Sequence, residues 1–215
     1  MLEIVRFVLG PANTNAYLIA DKETGDAAVI DPAWEGQLIL DEARRRGWRI
    51  AHLWYTHAHF DHIGGAAPIA DGLNPPPLVA LHPADHVLWR AEGGAPLFGF
   101  RIDPGPEPTV DLYQGQGLRL GGVELEVRHT PGHTAGHCIF LAPEAGVCFC
   151  GDLIFKKGVG RTDLPGGDPD QLVHSIRGQI FTLPDATRLL SGHGPETTVG
   201  QERQSNPFVG TNAVA

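Results

Sequence analysis

The run His57-Ala58-His59-Phe60-Asp61-His62 constrains this chain more than any other stretch of it. It sets three imidazoles and a carboxylate within six residues. With 11 histidines among 215 residues, chance would yield such a run in only about two chains per thousand of this composition. A buried-type strand pattern over residues 50–55 leads straight into it, so the cluster is presented at a strand end. Side chains alternate along extended chain, which puts His57, His59 and Asp61 on one side, and His62 can swing to the same point where the chain turns into a helix. Imidazole and carboxylate donors suit Zn²⁺, Fe or Mn²⁺, and no cysteine is near enough in sequence to suggest a closed structural site.

Three later segments share one layout. His133 follows Thr130-Pro131-Gly132, Asp152 follows Cys150-Gly151, and His193 follows Ser191-Gly192, each just beyond a predicted strand. Small residues beside a ligand let the backbone turn sharply and leave a coordination position open, as catalysis needs. Together the segments offer five histidines and two aspartates. Seven donors are too many for one tetrahedral ion and match two ions that share a carboxylate and a water.

The rest of the chain reads as α/β, in one domain over residues 1–215. Residues 2–8, 16–20 and 27–30 form short apolar or alternating runs between turn residues, a meander of antiparallel strands. Leu38, Ile39 and Ala43 then repeat at helical spacing before Arg44-Arg45-Arg46 and a Gly47 stop. After the strand at 50–55 come a helix at 63–70, a break at Asn74-Pro75-Pro76-Pro77, a strand at 78–81, a short helix at 83–91 and a Gly/Pro-rich loop at 93–108. A second series follows, with a strand at 123–127, a hairpin of 138–141 with 147–150, a helix and a last strand at 187–190. Asp168 is placed to cap that helix, Gln171 to close a capping box, and Leu172, Val173, Ile176 and Ile180 fall on one face. Strands, helix, strand, helix, then the same again, implies two similar halves.

Charge and cysteine usage narrow the partners. A formal net charge of −9 repels phosphate backbones and anionic lipid, so neither nucleic acid nor membrane is expected as a partner. No apolar run is long enough to span a bilayer, and the first residues carry an acid and lack a signal-peptide core, which places the chain in the cytoplasm. Three cysteines make no even disulfide framework. Cys148 and Cys150 are expected on one face of a buried strand.

The order Thr-His-x-His-x-Asp-His followed by His133, Asp152 and His193 resembles the metallo-β-lactamase superfamily over nearly the whole chain. That resemblance implies a four-layer αββα sandwich and two metal ions, zinc first, with iron or manganese also accommodated. It assigns His57, His59 and His133 to the first ion, Asp61, His62 and His193 to the second, and Asp152 as the bridge. Within the superfamily, Thr130-Pro131-Gly132-His133-Thr134-Ala135-Gly136-His137, the Gly151-to-Arg161 segment and Gly192-His193-Gly194-Pro195-Glu196-Thr197-Thr198 are similar to the glyoxalase II group, in particular to short bacterial glyoxalase II-like proteins.

The activity this implies is hydrolysis of thioesters or related esters, glutathione thioesters among them. A metal-bridging hydroxide would attack the carbonyl, with Asp61 and Asp152 as the catalytic carboxylates. Only 22 residues follow His193, and Pro195 stands where standard glyoxalase II has a tyrosine. The glutathione-holding helical domain of that enzyme is therefore not expected here. Arg161, nine residues after Asp152, is the expected substrate-binding residue, an anchor for a substrate carboxylate. His129, His137 and Asp31 are candidates to orient ligands. The rival reading is a persulfide dioxygenase with one iron on His57, His133 and Asp152, since Gly158-Val159-Gly160-Arg161-Thr162-Asp163 matches a segment of that group; the retained second-ion residues favour the hydrolase. A non-catalytic metal-stabilised scaffold and a nuclease are weaker alternatives.

Overall fold

The computed structural model describes residues 1–211, which form two six-stranded sheets, face to face, with helices on both outer faces. The first sheet takes β1 (Leu2–Leu9), β2 (Thr14–Asp21) and β3 (Asp26–Ile30) as the expected antiparallel meander. After α1 (Gly36–Arg46) it adds β4 (Arg49–Trp54), β5 (Leu78–Leu81) and β6 (Val110–Asp111), all parallel to β3. Between β4 and β6 lie α2 (Phe60–Ile63), α3 (Ala66–Asp71) and α4 (His86–Arg90). The second sheet runs β7 (Gly117–Leu120), β8 (Val123–His129), β9 (Cys138–Ala142) and β10 (Val147–Gly151) antiparallel in turn. A small hairpin of β11 (Ile154–Phe155) and β12 (Gly158–Val159), then α5 (Pro169–Ser175), precede β13 (Arg188–Ser191), which lies parallel to β10; β14 (Thr197–Thr198) and α6 (Val199–Ser205) follow.

Alternation along the strands builds the four layers. On β2, Ala16, Leu18 and Ala20 face α1 and α3, whereas Tyr17 and Ile19 face the other sheet. The inter-sheet core joins Tyr17, Ile30 and Trp54 to Leu125, Phe140 and Phe149. On the far face Cys148 and Cys150 pack together, as expected, against Leu172, Ile176 and Ile180. Every residue of β2 is buried, so it reads as one apolar run and not as an alternation.

Some expectations need correction. Leu38 is 52% exposed, and the buried stripe of α1 is Ile39, Leu40 and Ala43. The helix expected at 63–70 is two pieces, α2 and α3, parted at Gly64-Gly65. A Cβ on Gly65 would stand 2.5 Å from the Pro32 carbonyl oxygen, so this turn is pressed against the loop after β3. The short strands β6, β7 and β14 and the polar helix α6, whose buried residues are Val199 and Glu202, have no expectation to match. Gln171 reaches the Asp168 carboxylate (2.8 Å) and not its backbone N–H, because that N–H donates to the Gly132 carbonyl (2.7 Å). The start of α5 is thereby tied to the turn that carries His133.

Among the described residues no helix is long and apolar enough to cross a membrane. The Asp168 carboxylate accepts from Gln171 N at 2.9 Å, an ordinary N-cap. Asp168→Ala is expected to cost about 1 kcal/mol, seen as a lower urea midpoint at unchanged slope. An unchanged midpoint would show that the cap contributes nothing here.

Candidate metal centre

β3 and β4 run parallel in one sheet, and β8, β10 and β13 run alike in the other, so their carboxyl ends gather along one edge of the sandwich. Every residue singled out from the sequence as a ligand lies just beyond those ends, Asp61 and His62 on the short helix α2 and the others in turns. Backbone bonds stitch the two sheets there: Cys138 N donates to Thr56 O (2.7 Å) and Asn15 N to Gly192 O (2.7 Å). The Asn15 amide also donates to the Ser191 and Gly194 carbonyls (2.8 and 2.9 Å), and the Tyr17 hydroxyl to Ser191 O (2.7 Å).

The structure brings the seven side chains into two adjoining groups. In the first, His133 Nε2 lies 2.9 Å from His59 Nδ1 and 3.2 Å from His57 Nε2. In the second, Asp61 Oδ2 lies 3.2 Å from His193 Nε2 and 3.6 Å from His62 Nε2. Asp152 stands between them. Its Oδ1 is 3.4 Å from His62 Nε2, and its Oδ2 is 3.4 Å from His193 Nε2 and 3.7 Å from His133 Nε2.

Hydrogen bonds behind the rings fix which nitrogen looks inward. Asp31 accepts from Thr56 N and Thr56 Oγ1, both at 2.7 Å, so the Thr56 oxygen is left to accept from His57 Nδ1 at 3.0 Å. Asp31 Oδ2 also accepts from His62 Nδ1 (3.0 Å), and the Arg161 carbonyl accepts from His133 Nδ1 (2.7 Å). These partners commit the outer nitrogens of all three rings and turn their Nε2 atoms toward the centre. Asp31, His57 and His62 also lie close enough to hold an ion. With both Asp31 oxygens already bonded, its part is to orient. His137 acts one step further back: its Nε2 accepts from Asp152 N (3.2 Å), while Nδ1 meets Thr130 Oγ1 (2.8 Å). His129 instead bonds the Ala135 carbonyl (2.9 Å) and stacks on His82.

The fit to metal rests on unmet bonding. His62 Nε2 and Asp152 Oδ1 are fully buried and have no hydrogen-bond partner. His133 Nε2 faces two ring nitrogens and has no proton for either once Nδ1–H points at Arg161 O. Buried lone pairs converging without donors are what a cation would satisfy. Glycine keeps the space clear: a Cβ at position 192 would sit 2.1 Å from Asp152 Oδ1 and 2.6 Å from His62 Cε1.

Protonation divides the groups. Burial, then the neighbouring imidazoles, drives His57 well below the usual range and His59 down to about 3, and burial lowers His133 too. These rings are neutral donors. Burial opposes charge on His62 and His193 as well. Around His62 the Asp152 and Asp61 carboxylates prevail and hold its pKa well above normal, and hydrogen bonds to the same two acids lift His193 to about 9. The carboxyl of Asp61 is drawn down to about 2, the pull of His62 and His193 exceeding the opposing effect of burial.

Two further residues serve the site without a local sequence signal: Thr14, which donates to Asp61 Oδ2 (2.9 Å), and Asp85. Buried Asp85 accepts from Ala58 N (3.1 Å), Thr134 Oγ1 (2.7 Å) and Gly136 N (2.7 Å), tying the His57–His59 segment to the His133 turn. Thr56, next to His57, was open to discovery. Thr14, at the start of β2, and Asp85, after β5, reach the site from distant parts of the chain. Arg161 lies at the rim, 52% exposed, with its guanidinium bonded twice to Asp163 (2.8 Å each) and only its carbonyl facing inward.

Residues 9–193 match the family model described as the metallo-beta-lactamase superfamily. The chain belongs to that superfamily. It is 34% identical to the hydroxyacylglutathione hydrolase GloC of Haemophilus influenzae, over 93% of this chain and 94% of GloC. Two crystal structures share the fold closely. The BLEG-1 B3 metallo-beta-lactamase is 34% identical with a TM-score of 0.89, over 97% of this chain and 99% of that one. TTHA1623 in a di-iron-bound form is 40% identical with a TM-score of 0.85, over 95% and 99%.

Metal uptake beside Asp61 must expel protons from His62 and His193, whereas the His57 group has none to lose at neutral pH. As pH falls from about 9 to 6, occupancy of the Asp61–His62–His193 group is therefore expected to fall first, with bound metal dropping from two ions per chain toward one. Equilibrium dialysis at fixed free metal checks this. Simultaneous loss from both groups would contradict the division.

Proposed function

We propose that this chain is a hydrolase of thioesters and related esters that works with two divalent ions, and that hydroxyacyl-glutathione thioesters are within its substrate class. The observation that carries the reading is Asp152, a buried carboxylate set between two groups of inward-facing donors with one oxygen unmatched by any hydrogen bond. His57, His59 and His133 would hold one ion, Asp61, His62 and His193 the other, and Asp152 both. When bound, such a pair polarises a carbonyl and brings the pKa of water toward neutrality. Zinc suits the donors, and the di-iron form of a 40% identical relative supports iron as well.

The chain's thiols are out of reach. Cys138, Cys148 and Cys150 are fully buried, and burial raises all three thiols, Cys150 to about 12. Water is then the attacking group. Asp61 is charged at neutral pH, and its side chain is 13% exposed. Held by Thr14, its carboxylate accepts a proton from the attacking water as the C–O bond forms and yields it to the departing sulfur as the C–S bond breaks. The products are a thiol and a carboxylic acid, which releases its remaining proton to solvent at neutral pH.

Arg161 is the proposed anchor for a substrate carboxylate. Its surface pair with Asp163 is cheap to open, and a guanidinium can bind a carboxylate through two charge-assisted bonds. Similarity to GloC supports the substrate class, and three free cysteines suit the reducing cytoplasm. The acidic net charge leaves nothing to grip nucleic acid.

The metal-loaded protein is expected to hydrolyse a 2-hydroxyacyl glutathione thioester, to lose that activity on chelation and to regain it on metal return. Oxygen uptake with a glutathione persulfide and iron, in place of hydrolysis, would establish the dioxygenase reading instead. Arg161→Ala is expected to raise KM for carboxylate-bearing thioesters roughly tenfold with kcat little changed, and Asp163→Asn to lower it. Equal losses for charged and neutral thioesters would remove Arg161 from recognition.

A further inference from the structure

Beside the centre lies an apolar cavity of about 450 Å³ that none of the ligand residues lines. Val87 and Leu88 of α4, Ala91 just after it and Leu97 of the turn that follows form one wall, with Ala135 and Pro165 opposite. Its floor is Asp85 and Thr134, the pair that joins the two ligand segments: Thr134 follows His133, and Asp85 holds the backbone N–H between His57 and His59. The wall is pressed onto the same loop, since a Cβ on Gly93 would meet Phe60 N at 2.4 Å. The floor of the cavity thus adjoins His133 in sequence and, through Asp85 and Ala58, the backbone that carries His57 and His59.

Its chemistry is one-sided. Both Asp85 oxygens are taken by Ala58 N, Gly136 N and the Thr134 hydroxyl, and that hydroxyl's proton is spent on Asp85. The floor therefore offers an incoming group no free donor and no charge to pair with, and a peptide or a sugar would lose hydrogen bonds by entering. Hydrocarbon would lose none. Val87 and Leu97 are 75% and 68% exposed at the mouth, so the cavity opens to solvent between apolar side chains. The volume lies within the range of small-molecule pockets.

We propose that this cavity binds the hydrocarbon part of the substrate, so that the preferred thioesters carry an apolar chain of several carbons. The assignment of a thioester rests on the function proposed above; the assignment of hydrocarbon to the cavity rests on its lining alone. Burying a methylene is worth about two- to fourfold in kcat/KM when it leaves water in the transition state.

Two experiments test the proposal. In the first, the metal-loaded protein is assayed with straight-chain acyl thioesters of one small thiol, and with acetyl thioesters of alkanethiols of increasing length. One series is expected to rise more than tenfold between four and eight carbons, identifying whether the acyl or the thiol chain occupies the cavity. Val87→Glu and Leu97→Glu should each flatten that rise, while Leu78→Glu, an exposed position at the opposite end of β5, should leave it intact. Flat series in the wild type, or a rise unmoved by both cavity variants, would overturn the proposal.

In the second, 1-octanol is titrated into the metal-loaded protein and followed by backbone amide NMR. Saturable shifts at Leu88, Ala91 and Ala135 that Leu97→Glu abolishes are expected. Their absence would overturn the cavity as a hydrocarbon site. Octanol binding without hydrolysis of any thioester would instead refute the thioesterase reading and leave the site standing.

Discussion

Seven polar side chains share one buried space without enough protons to satisfy one another, and the rest of the structure is arranged to tolerate this. Five imidazoles and two carboxylates taken from water would ordinarily pair or change charge. Here one half stays neutral under burial and the other traps protons between Asp61, Asp152, His62 and His193. The neutral half aims lone pairs inward, and the protonated half gives up its protons when a cation takes their place. The buried Nε2 of His62 and Oδ1 of Asp152 have no protein partner, which is costly in a folded protein unless a ligand repays it.

The two-sheet architecture is what makes such a cluster possible. Each sheet delivers turns at the carboxyl ends of its strands, and the sheets are pinned along that edge by Asn15, Tyr17, Thr56 and Cys138. The ligands thus ride on turns between rigid strands and gain precision from the layers beneath. Asp31, Asp85 and His137 extend the same logic outward, each buried and each bonded to a segment that carries a ligand. The helices close the outer faces, and Gly192 removes the one side chain that would fill the centre.

Much of this was legible in the sequence, for a physical reason. Metal-donor side chains are rare at such density, and Gly or Pro-Gly beside His133, Asp152 and His193 announces sharp turns at strand ends. Alternation and helical spacing announced the strands, the helices and two similar halves, whereas the four-layer order was implied by the resemblance to the metallo-β-lactamase superfamily. What stayed hidden involves distance or weak local pattern. Thr14 and Asp85 act on residues 47 and 27 positions away, so no window around them carries a signal. Strand β14 has two residues and α6 buries only Val199 and Glu202, too little apolar period to read. The misplaced Leu38 shows the reverse: one apolar residue fits a helical period from sequence, and only the packing of Leu40 against the sheet decides which side is in.

The most direct measurement is anomalous diffraction from crystals of the protein loaded with zinc or iron. Two peaks about 3.5–4 Å apart are expected, one among His57, His59 and His133, the other among Asp61, His62 and His193, with Asp152 reaching both. A single peak, or two with Asp152 outside bonding distance of either, would contradict a shared two-ion centre.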